Sequence, residues 1–403
     1  MSIRRPVSSS GCNTPSWKND LMVDHLTASN DELGDHGGVV ERGRRPRDVD
    51  PAEGPLPPLL WPTSLVDRPK HPLVCYLDLN HWIGLSRANA GRADGERYVE
   101  ALEACRAAKG SGTAIFPISD AHYVEMAKIR SESQRARLAE VMWELSGLTT
   151  ILSRPSIMRM ELDRSLSDLV GSADGLLAQL PLLGFGSAWA LGRVGWRLRS
   201  EDEDLADELE GDALARFRSL TTTAERRILA GPTDDEIPAL KETGWDPYAG
   251  LRVAEQRALE EAEQAKRFDA DPRWRRGRIR DVILARELVI ELFDMLLEAL
   301  TWRSLGLEFL EADRDRARRL VRSMPSSEIS TELKRAAHRN RQTKWKSNDI
   351  IDIDAMSLAV PYCDVVVTER HRANQLRSAH FDDRMSTVIL DTLQLLPDVL
   401  RST

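Results

Sequence analysis

The alternation of apolar and polar positions divides the chain into two α/β portions separated by a helical one. Two short apolar runs of strand length, PLVCYLDL from Pro72 and TAIFPIS from Thr113, are each followed by segments that read as helices. Near the C-terminus, a predicted helix from Asp349 to Val360 precedes the strand CDVVVTE, and STVILDTLQLL predicts a last strand or a strand and turn. This order of strands and helices is typical of an α/β fold with a parallel sheet.

Between the two α/β portions, residues 156–345 read as helical almost throughout. The stretch RDVILARELVIELFDMLLEALTWRSLG has apolar residues at three- and four-residue steps, which predicts one buried helix face. The positions of that face are Val282, Ala285, Leu288, Val289, Leu292, Met295, Leu296 and Ala299. Residues 1–70 instead hold nine of the 20 prolines and few aliphatic residues, so we expect a disordered tail. The sequence thus predicts a discontinuous α/β domain, 71–155 plus 346–403, with a helical insertion at 156–345.

Composition restricts the class of protein more than its function. With 403 residues, 41% of them hydrophobic, the chain can bury a substantial core, and a formal net charge of −8 argues against a uniformly basic surface. We expect no signal peptide and no membrane span, because no uninterrupted apolar segment is long enough. The cysteines show neither CxxC nor zinc-ligand spacing, which favours a reducing, cytoplasmic location. They are Cys12, Cys75, Cys105 and Cys363.

Acidic residues stand at the ends of several predicted elements. Asp78 follows the first strand, Glu125 lies one turn into the helix after the second, and Glu369 follows CDVVVT. Asp349 and Asp352 open the last long helix, whereas a regular helix would point the nearby carboxylate of residue 354 elsewhere. In an open parallel sheet, ligands bind beyond the carboxyl ends of the strands, so these carboxylates can converge there.

Convergent carboxylates have a chemical consequence. Several of them within a few ångströms repel one another unless a divalent cation lies between them, and oxygen ligands suit Mg²⁺ or Mn²⁺. Such a site can activate water and bridge a phosphodiester. Each acidic residue taken alone can equally be a helix cap or a solvated charge. Asp78 fits that alternative least, because a charge directly after VCYL is costly unless it is paired or metal-bound.

The segments YLDLNHW, SDAHYVEMA and NDIIDIDAMSLAVPYCDVVVTE together resemble the PIN-like nuclease superfamily. The resemblance implies a three-layer α/β fold with a central parallel sheet, here interrupted by a large all-α insertion. It also implies a metal-dependent endonuclease that uses Mg²⁺ or Mn²⁺ and acts on RNA, or on single-stranded nucleic acid generally. In that family pattern Asp78, Glu125 and Asp352 are the metal ligands, with Glu369 and Asp349 supporting them. The family commonly places its last acidic residue slightly later than Glu369.

Further residues near these carboxylates are candidates for substrate binding. His81 and His122 each lie three residues from a proposed ligand, a spacing that puts them on the same helical face. Either histidine can orient a ligand or contact a phosphate, and a structural role is the alternative. Asn80 can cap the helix that follows or hold a metal-bound water.

A strongly basic segment precedes the last long helix. Residues 314–346 contain eleven Arg and Lys against three acidic residues. Arg339, Arg341, Lys344 and Lys346 come just before the carboxylates, where they can hold phosphates, and Trp345 can stack on an unpaired base. The alternative is a solvated helix face with Trp345 packed in the core.

Two other functions are compatible with the sequence. A phosphatase of the haloacid dehalogenase type also begins with an Asp at a strand end, but it expects DxD, and this chain has Asp78, Leu79 and Asn80. An inactive PIN-like scaffold could instead bind a protein partner through its helical insertion.

Overall fold

The structure is a computed structural model that describes residues 72–402, apart from short gaps. The gaps are 173–174, 178–179, 194–195, 197–198, 201–202, 205–208, 243, 245 and 276. The expected disordered tail, residues 1–70, lies outside the described residues. None of the described helices is both long and apolar enough to cross a lipid bilayer.

The described residues are mostly helical and form short strands. The strands are β1 Leu73–Leu77, β2 Ala114–Ile115, β3 Thr149–Ile151, β4 Leu183–Phe185, β5 Arg199–Ser200, β6 Glu203–Asp204, β7 Val365–Val367 and β8 Val388–Leu390. The helices up to residue 270 are α1 Leu79–Asn89, α2 Val99–Gly110, α3 Asp120–Lys128, α4 Glu132–Ser146, α5 Arg154–Val170, α6 Gly186–Ala190, α7 Gly211–Ala230, α8 Ile237–Glu242 and α9 Ala249–Ala270. The later ones are α10 Pro272–Arg275, α11 Ile279–Arg286, α12 Phe293–Trp302, α13 Glu308–Glu311, α14 Arg314–Arg322, α15 Pro325–Arg339, α16 Ser347–Tyr362, α17 Arg370–Ser378, α18 Phe381–Met385 and α19 Leu396–Arg401.

The central sheet has the strand order β2-β1-β7-β8, and every pair in it is parallel. Cys75 of β1 lies opposite Val365 of β7, and Leu77 lies opposite Val367. The strands are continuous apolar runs because both faces of the sheet are covered. Thus the two α/β portions of the sequence, far apart in the chain, meet as the two central strands.

Strand β2 is shorter than TAIFPIS predicts. Pro117 has no N–H to donate to a neighbouring strand, so the ladder stops after Ile115. The chain resumes pairing at Ile118, which forms an isolated parallel bridge with Thr150 of β3. Strand β3 also pairs with β4 in antiparallel fashion.

Helices cover both faces of the sheet. Successive strand residues point to opposite faces, so Leu77 and Val367 join one core cluster while Tyr76 and Val366 join another. Helices α1, α2, α4 and α19 contribute to the first cluster, and α5, α9, α15 and α16 to the second. The α/β fold with a helical region is therefore confirmed.

The predicted insertion does not stand apart from the sheet. Its helices α5, α9 and α15 share the second core cluster with β1 and β7, while α5 also packs with α12 and α14 in a third cluster. The predicted amphipathic face is buried at most of its positions, but the segment is not one regular helix. A π-helical turn, Glu287–Glu291, separates α11 from α12 and places both terminal glutamates near buried cations.

Candidate active site

Asp78 is held at the carboxyl edge of the two central strands. It follows β1 directly and occupies the N-cap position of α1 with an extended backbone. Its backbone N–H donates to the Val367 carbonyl at 3.0 Å, and the Thr368 hydroxyl donates to its Oδ2 at 3.2 Å. Both contacts come from the end of β7, so the pairing of the central strands fixes this carboxylate.

Glu125 reaches the same edge from α3, the helix that follows β2. Lys128, one turn later, donates to Glu125 Oε1 at 3.2 Å and to Asn348 Oδ1 at 2.9 Å. Lys128 thereby joins the end of α3 to the first turn of α16. The Glu125 side chain is 14% exposed, so its charge is largely removed from water.

Asp352 and Glu369 complete the group from either side of β7. Asp352 lies in the second turn of α16, close enough to Asp78 for that charge to act on it. Arg372 Nη2 is 3.7 Å from Asp352 Oδ2. Glu369 is exposed, and Asn80 Nδ2 donates to its Oε1 at 2.5 Å.

The four carboxylates influence one another electrostatically. Burial raises the pKa of Asp78, and the nearby Glu369 raises it further. Burial also raises the pKa of Glu125, to which the charges of Asp78 and Glu369 add. The pKa of Asp352 is raised to about 7, first by burial and then by Asp78, against the opposing charge of Arg372. The structure thus brings together four carboxylates that come from three separate parts of the sequence.

The group has the donor chemistry for a divalent cation, but it is not preassembled around one. Among the described residues, no three His, Cys, Asp or Glu side chains form a group spaced for metal coordination. Each carboxylate is instead engaged by its own neighbour, namely Thr368, Lys128, Arg372 and Asn80. The raised pKa values nevertheless reflect buried, mutually repelling charges, which a bound cation relieves. Carboxylate oxygens are the kind of ligand that Mg²⁺ and Mn²⁺ prefer.

The other two carboxylates at the start of α16 have separate partners. Asp349 Oδ2 accepts a hydrogen bond from the Lys346 backbone N–H at 2.8 Å, so it caps α16. Asp354 contacts Arg154 at the start of α5 and Arg257 of the predicted insertion, with Arg257 Nη2 donating to its Oδ1 at 3.0 Å. It points away from the other carboxylates, as a regular helix predicts. The capping contact must break before Asp349 can support a metal.

The two histidines have different surroundings. His122 is fully buried: its Nδ1 accepts from the Ser119 backbone N–H at 2.9 Å and its Nε2 lies 2.8 Å from the Leu77 carbonyl. Burial lowers its pKa to about 4, so it joins the end of β1 to the start of α3 as a neutral ring. His122 therefore has the structural role given above as the alternative to substrate binding, and its buried ring has no surface left to contact a substrate. His81 is half-buried beside Asp78 and Glu369, with no hydrogen-bond partner for Nε2 among the described residues.

The basic segment divides into a paired and an exposed part. Lys334 is buried, with Nζ 3.3 Å from both Glu287 Oε2 and Glu291 Oε1, and Arg335 pairs with Glu332. The later cations are exposed, and no ion pair is found for them within the part of the chain that the structure describes. We call these the exposed basic segment: Arg339, Arg341, Lys344 and Lys346.

Trp345 belongs with the core rather than with the exposed cations beside it. Its ring is half-buried against the second core cluster, and its centroid lies 4.8 Å from that of His338. This packing agrees with the alternative in which Trp345 is part of the core and does not stack on a base. A role in stacking on a base requires the ring to leave the core.

Sequence reasoning missed the cations within the carboxylate group. Lys128 lies three residues after Glu125, and Arg372 lies three residues after Glu369, so helical spacing could have pointed to both. No matching family model, curated protein or solved structure was found for this chain. The likeness to PIN-like nucleases therefore stays an interpretation of the motifs.

Proposed function

We propose that this protein is a metal-dependent endonuclease that hydrolyses single-stranded RNA. The observation that supports it most is the group formed by Asp78, Glu125 and Asp352, whose pKa values are all raised by burial at one edge of a parallel sheet. Structural ion pairs can also perturb pKa values, but they usually match charges of opposite sign. Here Lys128 and Arg372 each pair with one carboxylate, but the like charges of neighbouring carboxylates also raise all three pKa values, which costs stability.

The proposed role of each residue follows from its position. Asp78, Glu125 and Asp352 hold the cation, with Glu369 as a further ligand once it leaves Asn80. The cation supplies an activated water and neutralises charge on the leaving oxygen. Lys128 lies between Glu125 and Asn348, where it can take up a substrate phosphate when the metal occupies the carboxylate. No residue of the chain has to form a covalent intermediate.

The surroundings favour a polymeric substrate over a small phosphate ester. The exposed basic segment ends at Lys346, directly before α16, which carries Asp352. Exposed cations next to a carboxylate group can hold phosphates on either side of the bond to be cut. The position expected to hold the second Asp of a phosphatase is Asn80, which binds Glu369 instead.

The experiment compares two matched Asp→Asn variants. Asp78 directly follows β1, and Asp391 directly follows β8 at the same edge of the sheet, but Asp391 pairs with Arg377 at 3.0 Å. The full chain, Asp78→Asn and Asp391→Asn are purified in parallel and incubated with end-labelled single-stranded RNA in Mg²⁺, Mn²⁺ or EDTA.

We expect metal-dependent cleavage by the parent and by Asp391→Asn, and none by Asp78→Asn. Removal of one hard ligand abolishes cation binding without disturbing the strands. Undiminished cleavage by Asp78→Asn, or cleavage that persists in EDTA, would refute the proposal.

A further inference from the structure

A basic cleft of about 200 Å³ lies between α1 and the first turns of α4. Ser86 and Arg87 of α1 form one wall, Gln134 and Arg137 of α4 form the other, and Arg92 lies at the end of α1. With Ser131 at the start of α4, three guanidinium groups, two hydroxyls and an amide line one concave surface. All of these groups can donate hydrogen bonds to an anion.

The cleft carries a surplus of positive charge. Asp94 pairs with both Arg87 and Arg92, at 3.5 and 2.9 Å, so a single carboxylate compensates two guanidinium groups. Arg137 is exposed, and the structure gives it no ion pair within the described ranges.

The acidic residues of α4 are engaged away from the cleft. Glu140 and Glu144 pair with arginines of other elements, Arg226 and Arg106. The carboxylate of Glu132, in the first turn of α4, lies near Arg227 and helps to raise the pKa of that arginine. The cleft therefore suits a phosphate group, to which arginine binds in a fork-like, bidentate geometry.

Each wall of the cleft continues from a segment that carries a partner of the carboxylate group. Asn80, which binds Glu369, and Arg87 are seven residues apart on one face of α1, or about 10 Å along the axis. On the other wall, Lys128 beside Glu125 is three residues before Ser131, which caps α4. A strand bound across the carboxylates can therefore continue along α1 into the cleft.

We infer that this cleft binds a backbone phosphate of the nucleic-acid strand that the carboxylate group cleaves. The inference rests on the proposed function and adds a second phosphate contact, separate from the exposed basic segment. Because phosphate contacts set position rather than sequence, the cleft fixes the register of the strand over the carboxylates. A free phosphate has the same chemistry, so the experiment must separate the two sources.

The test uses the double variant Arg87→Gln/Arg137→Gln in the full chain. Its matched control is Arg216→Gln/Arg218→Gln, which removes two exposed arginines of α7. Binding of fluorescent single-stranded RNA is measured in EDTA over a series of salt concentrations, and KM for cleavage is measured in Mn²⁺. Thermal unfolding of each variant checks that the fold is intact.

We expect the double variant to lower the log–log salt slope by about 0.7, the value for one lost phosphate contact on a single strand, and to raise KM. The control should match the parent, and Arg87→Lys/Arg137→Lys should retain most of the slope because it keeps both charges. If the parent cleaves RNA but the double variant matches the control, the cleft inference is wrong and the nuclease proposal stands.

Two further outcomes separate the remaining explanations. Inorganic phosphate that raises the melting temperature of the parent but not of the double variant, with RNA binding unchanged in both, would assign the cleft to a free anion and overturn the strand contact. If the parent neither binds nor cleaves RNA with any divalent metal, the proposed function fails, and the inference fails with it.

Discussion

Asp352→Asn should stabilise the metal-free protein at alkaline pH. The Asp352 carboxylate is desolvated and faces Asp78, Glu125 and Glu369, with Arg372 as its compensating cation. An asparagine keeps the shape of the side chain and removes its charge. The substitution therefore relieves the repulsion between this carboxylate and its acidic neighbours.

The sign and size of the effect follow from the pKa. In the folded protein the pKa of Asp352 is raised from 3.8 to about 7, so the folded state holds the proton more tightly than the unfolded chain. Stability from this group is fully present below pH 3.8 and is lost as the pH rises through about 7. A pKa shift is worth about 1.4 kcal/mol per unit, so the charge of Asp352 lowers the free energy of unfolding at alkaline pH by at most about 4 kcal/mol. Because the side chain is 36% exposed, solvent screening reduces the expected gain to about 1–2 kcal/mol.

The assay is urea unfolding of the parent and Asp352→Asn in EDTA at several values between pH 4 and pH 8. The difference in the free energy of unfolding should be smallest at acid pH and grow to its full value near pH 8. Asp391→Asn, which breaks a pair with Arg377, should show no such gain. Addition of Mn²⁺ should stabilise the parent more than Asp352→Asn, because only the parent keeps all its ligands. A difference that does not change with pH, or a less stable Asp352→Asn at pH 8, would contradict the reasoning.

The remaining predictions concern the surface, the buried charges and the packing. Replacement of all four cations of the exposed basic segment with Gln should weaken RNA binding. It should also lower the log–log salt slope of binding by up to about 3, as measured by fluorescence anisotropy. An unchanged slope would show that this segment does not contact RNA. Lys334→Met removes the buried cation shared by Glu287 and Glu291, leaving Arg154 beside Glu287, and should lower the free energy of unfolding by up to about 3–5 kcal/mol. The exposed Lys266→Met should have little effect in the same urea titration. Gly95→Ala should lower the free energy of unfolding by about 1–3 kcal/mol, because a Cβ there would lie 2.3 Å from a backbone carbon of α1. At Gly110 a Cβ meets open space, so Gly110→Ala should leave the free energy of unfolding unchanged or raise it. Equal effects of the two substitutions would refute the packing argument.

The sequence was most informative where apolar runs ended in a charge. The parallel pairing of LVCYL with VVV follows from their continuous apolar character, and the carboxyl ends of paired parallel strands share one edge of the sheet. That rule alone placed Asp78 near Glu369 across 290 intervening residues of chain. The helical period then indicated which side of α16 carries Asp352 and that Asp354 points elsewhere.

Charge partners were beyond the reach of sequence patterns. Lys334 reads as one more residue of a basic segment, yet its carboxylate partner Glu287 lies 47 residues earlier, on a π-helical turn that the regular apolar period concealed. His122 has the spacing of a ligand, but its ring nitrogens are taken by the backbone of neighbouring elements. Such contacts depend on how the helices pack, which the local pattern does not record.

The most direct test of the central claim is anomalous diffraction from crystals of the full chain soaked with Mn²⁺. The account predicts anomalous peaks between the carboxylates of Asp78, Glu125, Asp352 and Glu369, with Glu125 turned away from Lys128 and the Asn80 contact to Glu369 broken. Crystals of Asp78→Asn should lack the peak. Anomalous peaks found only elsewhere, or carboxylates that keep their present partners at Mn²⁺ concentrations that support cleavage, would contradict a metal-dependent site at this edge of the sheet.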